Sequence, residues 1–261
     1  MSANSGIAWT DNTFNPWWGC TKVSPGCDNC YAERMARRFY VRWGSGEPRM
    51  FFGAEHWRQP LRWNARAARE GRRIRVFCAS MADVFDNEVS RSQEVSDGAR
   101  ARLWALIRDT PNLDWQILTK RIGNVPSMLP ADWSARNYPH VWLGITVVTQ
   151  EEAERDIPRL LAIPARVRWL SVEPQLESMY LRDLGLRCID WVIVGGESGP
   201  KARPFNLNWA RSLRSQCKAE GVAFFMKQLG SVAARVLAFK DSKGGDPSEW
   251  LEDLRVREFP A

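Results

Sequence analysis

Cys20, Cys27 and Cys30, three of the six cysteines, fall within eleven positions in Gly19-Cys20-Thr21-Lys22-Val23-Ser24-Pro25-Gly26-Cys27-Asp28-Asn29-Cys30-Tyr31. Thiolates are soft ligands, and crowding of this kind without a signal-peptide pattern points to metal or iron–sulfur chemistry rather than disulfides. Three ligands are one short of the usual closed zinc site, which takes four Cys or His. A helix opening at Cys30, capped by Asp28 or Asn29, would favour the thiolate form through its N-terminal dipole. A cubane [4Fe–4S] cluster on these three cysteines would keep one iron for an exchangeable ligand.

The elements that must position this loop read as an alternation of strands and helices. Strands are expected at Ile7–Thr10, Arg73–Ala79, Trp115–Thr119, Val141–Thr146, Arg166–Val172, Asp190–Val194 and Val222–Met226. Helical periodicity lies between them: Tyr31, Met35 and Phe39 recur at four-residue steps beside Arg34, Arg37, Arg38 and Arg42, and the Gly44–Pro48 stretch ends that helix. Further helices run through Val95, Ala99, Leu103, Leu106 and Ile107, and through Trp209, Leu213 and Cys217 up to Gly221. Thr149 and Glu152 form a capping box. The pattern predicts an α/β fold, a full or partial TIM-like barrel of about six or seven parallel strands with the Cys loop after the first. We read a single domain over 1–261, with an insertion at 44–70 covering the cluster and a tail at 231–261.

In such a fold, residues after each strand share the mouth of the barrel. The candidates there are Ser80 and Asp83, Lys120 and Arg121, Thr146, Glu173, Gly195, Gly196 and Glu197, and Lys227 with Gln228. Glu173, held by Pro174 at the end of a buried strand, needs a partner because an unpaired charge is costly there; Lys120 is one choice. Paired glycines let backbone approach a ligand, or only make a tight turn. Thr149 and Gln150 have two readings, ligand contact or helix cap. His56 is weighed as a fourth ligand against a packing role, and packing is the commoner use of a lone histidine.

Asn15-Pro16-Trp17-Trp18-Gly19-Cys20 and Cys27-Asp28-Asn29-Cys30-Tyr31-Ala32-Glu33-Arg34 resemble the cysteine motif of radical S-adenosylmethionine enzymes related to spore photoproduct lyase. The resemblance is closer to the phage-associated three-Cys-motif proteins, a poorly characterised family. It extends through Ser80-Met81-Ala82-Asp83-Val84-Phe85, Leu118-Thr119-Lys120-Arg121, Ser171-Val172-Glu173-Pro174, Gly195-Gly196-Glu197-Ser198-Gly199, Phe225-Met226-Lys227-Gln228 and Leu254–Pro260. One departure is that six residues separate Cys20 from Cys27, where the radical enzymes usually have three. Six flexible residues still reach across a cube face.

The resemblance implies a [4Fe–4S] cluster on Cys20, Cys27 and Cys30, and S-adenosyl-L-methionine as the second cofactor. Ser80 and Asp83 would meet its amino group, Thr146 and the residues after it its ribose and carboxylate, and Glu173 an amine or ribose. It further implies an external electron donor, hydrogen abstraction from an unidentified substrate, nucleic acid among the choices, and a genomically linked partner protein. The rival reading is a non-catalytic nucleic-acid-binding barrel with a structural zinc or iron–sulfur site. A phage accessory protein acting only with a partner fits either.

The whole chain is consistent with this scale. At 261 residues it can bury a substantial core, and 44% hydrophobic with 26% charged residues is ordinary for a globular protein. No apolar run is long enough to span a bilayer, and Met1–Ser5 lacks a leader pattern, so the expectation is cytoplasmic with no membrane partner. The formal charge of +7 and fourteen tryptophans favour a polyanionic partner to a modest degree, since arginines solvate helix faces and tryptophans pack cores. Cys78, Cys188 and Cys217 are expected as buried small hydrophobes.

Overall fold

The computed structural model describes residues 5–87 and 93–261, the side chains at 93–97 apart. The leader reading of Met1–Asn4 and the side chain of Val95 lie outside the described residues. Seven strands form one sheet in the order in which the chain makes them: β1 (Asn12–Phe14), β4 (Ile74–Cys78), β5 (Leu113–Thr119), β6 (Val141–Thr146), β7 (Val167–Val172), β8 (Trp191–Gly195) and β9 (Ala223–Gln228). Sequential parallel order is the topology of a partial TIM-like barrel, as expected. A separate pair, β2 (Trp17–Trp18) and β3 (Met50–Phe51), is antiparallel. No helix among the described residues is long and apolar enough to cross a membrane.

The chain divides into two compact units. The first comprises Met1–Val23, Ala32–Leu143 and Pro164–Arg166. Its first strand is not Ile7–Thr10, which is a turn closed by Thr10 N–H on the Ile7 carbonyl. The Thr10 hydroxyl donates to the Asn12 and Arg75 carbonyls, which ties that turn to the strand that follows. The buried Phe14 ring packs edge-on against Trp57 and Trp115. Trp57 belongs to α2 (Ala54–Glu70), which accounts for most of the stretch read as a covering insertion. Trp57, Pro60, Trp63 and Ala67 are its buried positions, a helical period that Pro60 disguises as a break.

α1 (Tyr31–Arg38) begins where expected and ends early. Tyr40 N–H donates to the Arg37 carbonyl and Val41 N–H to that of Ala36, a Schellman closure well before Gly44. The buried face of α1 is Ala32 and Ala36, so the apolar stripe Tyr31, Met35 and Phe39 points outward, not into the core. α3 (Gln93–Arg108) precedes β5, and the short α4 (Val125–Met128) follows it.

The second unit comprises Ser24–Tyr31, Gly144–Ile163 and Val167–Ala261. Trp169 and Trp191 face each other in register on β7 and β8 and are fully buried. A Cβ on Gly144 would lie 2.3 Å from the Trp169 ring, so only glycine fits there. α5 (Gln150–Leu161) and α6 (Leu207–Glu220) are capped by Thr149 and Asn206. α7 (Ser231–Val236) opens the tail. The tail then returns along β9, where Met226 N–H donates to the Val256 carbonyl and Glu258 N–H to that of Phe224. Cys78 and Cys217 are buried, but Cys188 is exposed at the end of a short turn of helix, contrary to expectation.

Candidate functional site

In the first unit, two strand-end residues organise the segment leading to Cys20. The Asn15 amide donates to Ser80 Oγ at 3.1 Å and accepts from Met81 N–H at 2.7 Å, while Gly19 N–H donates to the Met81 carbonyl. Ser80 therefore braces the approach to the cysteine loop. His56 Nε2 bonds to the Asn15 carbonyl at 2.8 Å, and its ring stacks on Phe14 and Phe52. Burial lowers its pKa, and its role is packing.

Asp83 is also committed to protein. Its carboxylate accepts from Thr119 Oγ1, Lys120 N–H, Phe85 N–H and Arg121 Nη1. Arg121, 8% exposed, then donates to the Thr21 carbonyl at 2.7 Å and reaches Cys20 Sγ at 3.6 Å. A second carboxylate, Asp86, lies 3.6 Å from Arg121 and 2.8 Å from Arg49, whose guanidinium also donates to Thr21 Oγ1. Burial opposes the charge on Arg121, but Asp83, Cys20 and Asp86 hold its pKa above the ordinary value. Burial pushes the Cys20 thiol up to about 12, with Asp83 adding to the effect and Arg121 opposing it. Lys120 is different: its ammonium has no ion-pair partner among the described residues.

In the second unit the same logic recurs around Cys27 and Cys30. Glu197 is 7% exposed and accepts from Arg203 N–H, Nε and Nη2 and from the Asn29 amide at 3.0 Å. Arg203 Nη2 also donates to the Pro25 carbonyl, and Asn29 to that of Lys201. Burial works against the Glu197 charge, but the Arg203 and Asn29 hydrogen bonds prevail and hold its carboxyl below the usual range. Glu197 thus grips the Cys27-x-x-Cys30 turn. Gly196 serves packing, since a Cβ there would meet the Leu229 carbonyl at 2.4 Å. Gln228 closes this region by donating to the Gly196 carbonyl.

Thr146, Glu173, Gly195 and Lys227 form a second group in this unit. Alternation along β7 puts Ser171 and Glu173 on one sheet face, Lys227 and Gly195 meet Glu173 there, and Thr146 shares that face through Gly144, which packs on Trp169 two residues before Ser171. The partner of Glu173 is Lys227, at 2.7 Å, and not Lys120; Ser171 Oγ donates to its other oxygen. A Cβ on Gly195 would press on Glu173 Oε1 at 3.2 Å, so that glycine makes room for the carboxylate. Thr146 Oγ1 is buried and has no hydrogen-bond partner among the described residues, an orphan that ordinarily calls for a ligand or water. Thr149 resolves as a cap, its hydroxyl accepting from Glu152 N–H, and the Gln150 amide is spent on Glu154 and Tyr180.

Sequence reasoning missed Asp86, Arg49, Asn29 and Arg203. Asp86 stands three residues beyond Asp83, and Arg203 six beyond Glu197, close enough in sequence to share a turn. Arg49 carried no local signal. Cys20, Cys27 and Cys30 are free thiols, each half-buried. Among the described residues no three His, Cys, Asp or Glu side chains are grouped to hold one metal ion. Three thiols are soft donors of the kind that iron–sulfur clusters take.

An α/β protein of sequential parallel strands, with a thrice-cysteine loop after the first and polar clamps at the strand ends, is the class these features define. The chain belongs to the family described as "Protein of unknown function (DUF5131)", whose model matches residues 4–253. No curated protein and no solved structure matches the chain.

Proposed function

We propose that this protein is a radical S-adenosylmethionine enzyme, with Cys20, Cys27 and Cys30 as the ligands of a [4Fe–4S] cluster. When bound, the cluster and S-adenosylmethionine supply a one-electron cleavage to methionine and a 5′-deoxyadenosyl radical that removes hydrogen from substrate. The observation that carries the reading is that two separate hydrogen-bond systems built on strand-end residues end on the cysteine loop. Arg121, held by Asp83 and Asp86, fixes Cys20 and Thr21; Glu197, through Asn29 and Arg203, fixes the turn from Pro25 to Cys30. Each system balances its own charges, Asp83 and Asp86 against Arg49 and Arg121, and Glu197 against Arg203, so what it contributes is a fixed loop geometry.

The remaining strand-end groups divide the second cofactor among them. Lys120 would meet the methionine carboxylate, the orphaned Thr146 hydroxyl would take a ribose hydroxyl, and Glu173, oriented by Lys227, would accept from an amine. Asp83 and Glu197 also hold the loop, through Arg121 and through Asn29 and Arg203, and Ser80 bonds to Asn15 ahead of it. The test is anaerobic reconstitution with iron and sulfide, then reduction with S-adenosylmethionine present. A four-iron spectrum and 5′-deoxyadenosine are expected, both lost in Cys27→Ala. Zinc as the sole tightly bound metal, or a well-formed cluster that yields no 5′-deoxyadenosine, overturns the proposal.

A further inference from the structure

The outward face of α1 is built against the usual preferences of a helix end. Met35 and Phe39 are 42% and 58% exposed, and Tyr40 is 96% exposed. Tyr40 occupies the helix-terminating position that is usually glycine, with φ 57°, a left-handed conformation costly for a bulky side chain. The strain projects an aromatic ring into solvent. Next to it in sequence, Phe39 is anchored, its ring edge-on to Trp18 at 5.4 Å, so one of the two exposed rings is held in place.

Cations surround these rings. Arg34, Arg37, Arg38 and Arg42 are all exposed, against one carboxylate in the helix, Glu33, which Arg37 shares with Lys22. Arg38 has no ion-pair partner among the described residues. Arg42 meets Glu47 only at 3.6 Å in an exposed pair, an interaction easily surrendered.

We infer that this face of α1 binds single-stranded nucleic acid, with Phe39 and Tyr40 stacking on unpaired bases and Arg38 and Arg42 meeting phosphates. A duplex hides its base faces from such a platform. A lipid surface wants a broad apolar face, and here arginines interrupt the rings at nearly every step. As a statement about substrate the inference rests on the radical reading; as a statement about binding it needs no cofactor.

The experiment is fluorescence anisotropy of the full-length apoprotein with labelled oligothymidylate and oligouridylate of about 16 nucleotides. A duplex of equal length and anionic phospholipid vesicles serve as the other arms. Either single strand should bind more tightly than the duplex, and more weakly as salt rises. Phe39→Ala and Tyr40→Ala should each weaken binding by about 5- to 150-fold, the effect of losing one stacked base. Arg38→Ala should lower the slope of log affinity against log salt by about 0.7. Tyr40→Gly separates recognition from folding: it should raise the melting temperature by relieving the left-handed strain while weakening the single-strand complex. Absent single-strand binding, preference for the duplex or the vesicles, or full affinity in Tyr40→Gly would overturn the inference. None of these depends on whether a cluster assembles, so failure of the radical reading shows separately.

Discussion

Replacing Asp86 by alanine tests the charge network behind Cys20. The side chains of Asp86 and Arg49 are both 0% exposed and lie 2.8 Å apart. Arg121 keeps Asp83 when Asp86 is removed, but among the described residues Arg49 retains only carbonyls and the Thr21 hydroxyl, which leaves its buried charge without a counter-ion there. Breaking a buried pair in this way costs about 3–5 kcal/mol. At roughly 2 °C per kcal/mol for a chain of this size, the melting temperature should fall by about 6–10 °C. Glu55→Ala is the control: Glu55 pairs with Arg58 and Arg62 at side-chain exposures near two-thirds, where a pair is worth at most about 1 kcal/mol. Melting followed by circular dichroism gives both shifts. Alkylation of Cys20 in the apoprotein should quicken only in Asp86→Ala, because Arg49 and Arg121 together steady Thr21. If the two variants melt within a degree or two of each other, the network does not hold the loop.

Two further outcomes follow from single atoms. The folded-state pKa of Glu197 is lowered, so its contribution to stability is present above the unfolded value near 4.3 and is lost as pH falls through the folded one. The urea midpoint should therefore drop more steeply below about pH 4.3 in the wild type than in Glu197→Gln, and parallel curves would remove Glu197 from its clamping role. Thr146→Val deletes a buried hydroxyl that has no partner among the described residues, so the variant should be as stable as the wild type or more so, and under the proposed function it should bind S-adenosylmethionine more weakly in equilibrium dialysis. A loss of more than about 1 kcal/mol in stability would show that the hydroxyl has a structural partner after all.

The strand-ordered sheet was readable because its strands are continuous apolar runs such as Trp191–Gly195, buried on both faces, separated by periodic helices. Two elements escaped for identifiable reasons. In α2 a proline and clustered aromatics hid the period, and β1 is three polar-edged residues beside a more strand-like Ile7–Thr10. For α1, four-residue spacing gave the helix but not which face the fold would bury. The candidate positions were legible and their partners less so: Ser80, Asp83 and Glu197 are at strand ends as read, yet Glu197 bonds to the cysteine loop itself, while Asp83 reaches it through Arg121 and Ser80 bonds to Asn15 ahead of it. Such assignments depend on partners distant in the chain, Asn15 for Ser80 and Asn29 for Glu197, and no local spacing encodes them.

The returning tail has a practical side. By pairing Val256 and Glu258 with β9, and by seating the Glu258 carbonyl on the Trp191 indole, it shields amide and carbonyl groups that would otherwise face water as a bare template for another chain. Removing the residues after Leu254 would thus trade a quiet border for an adhesive one.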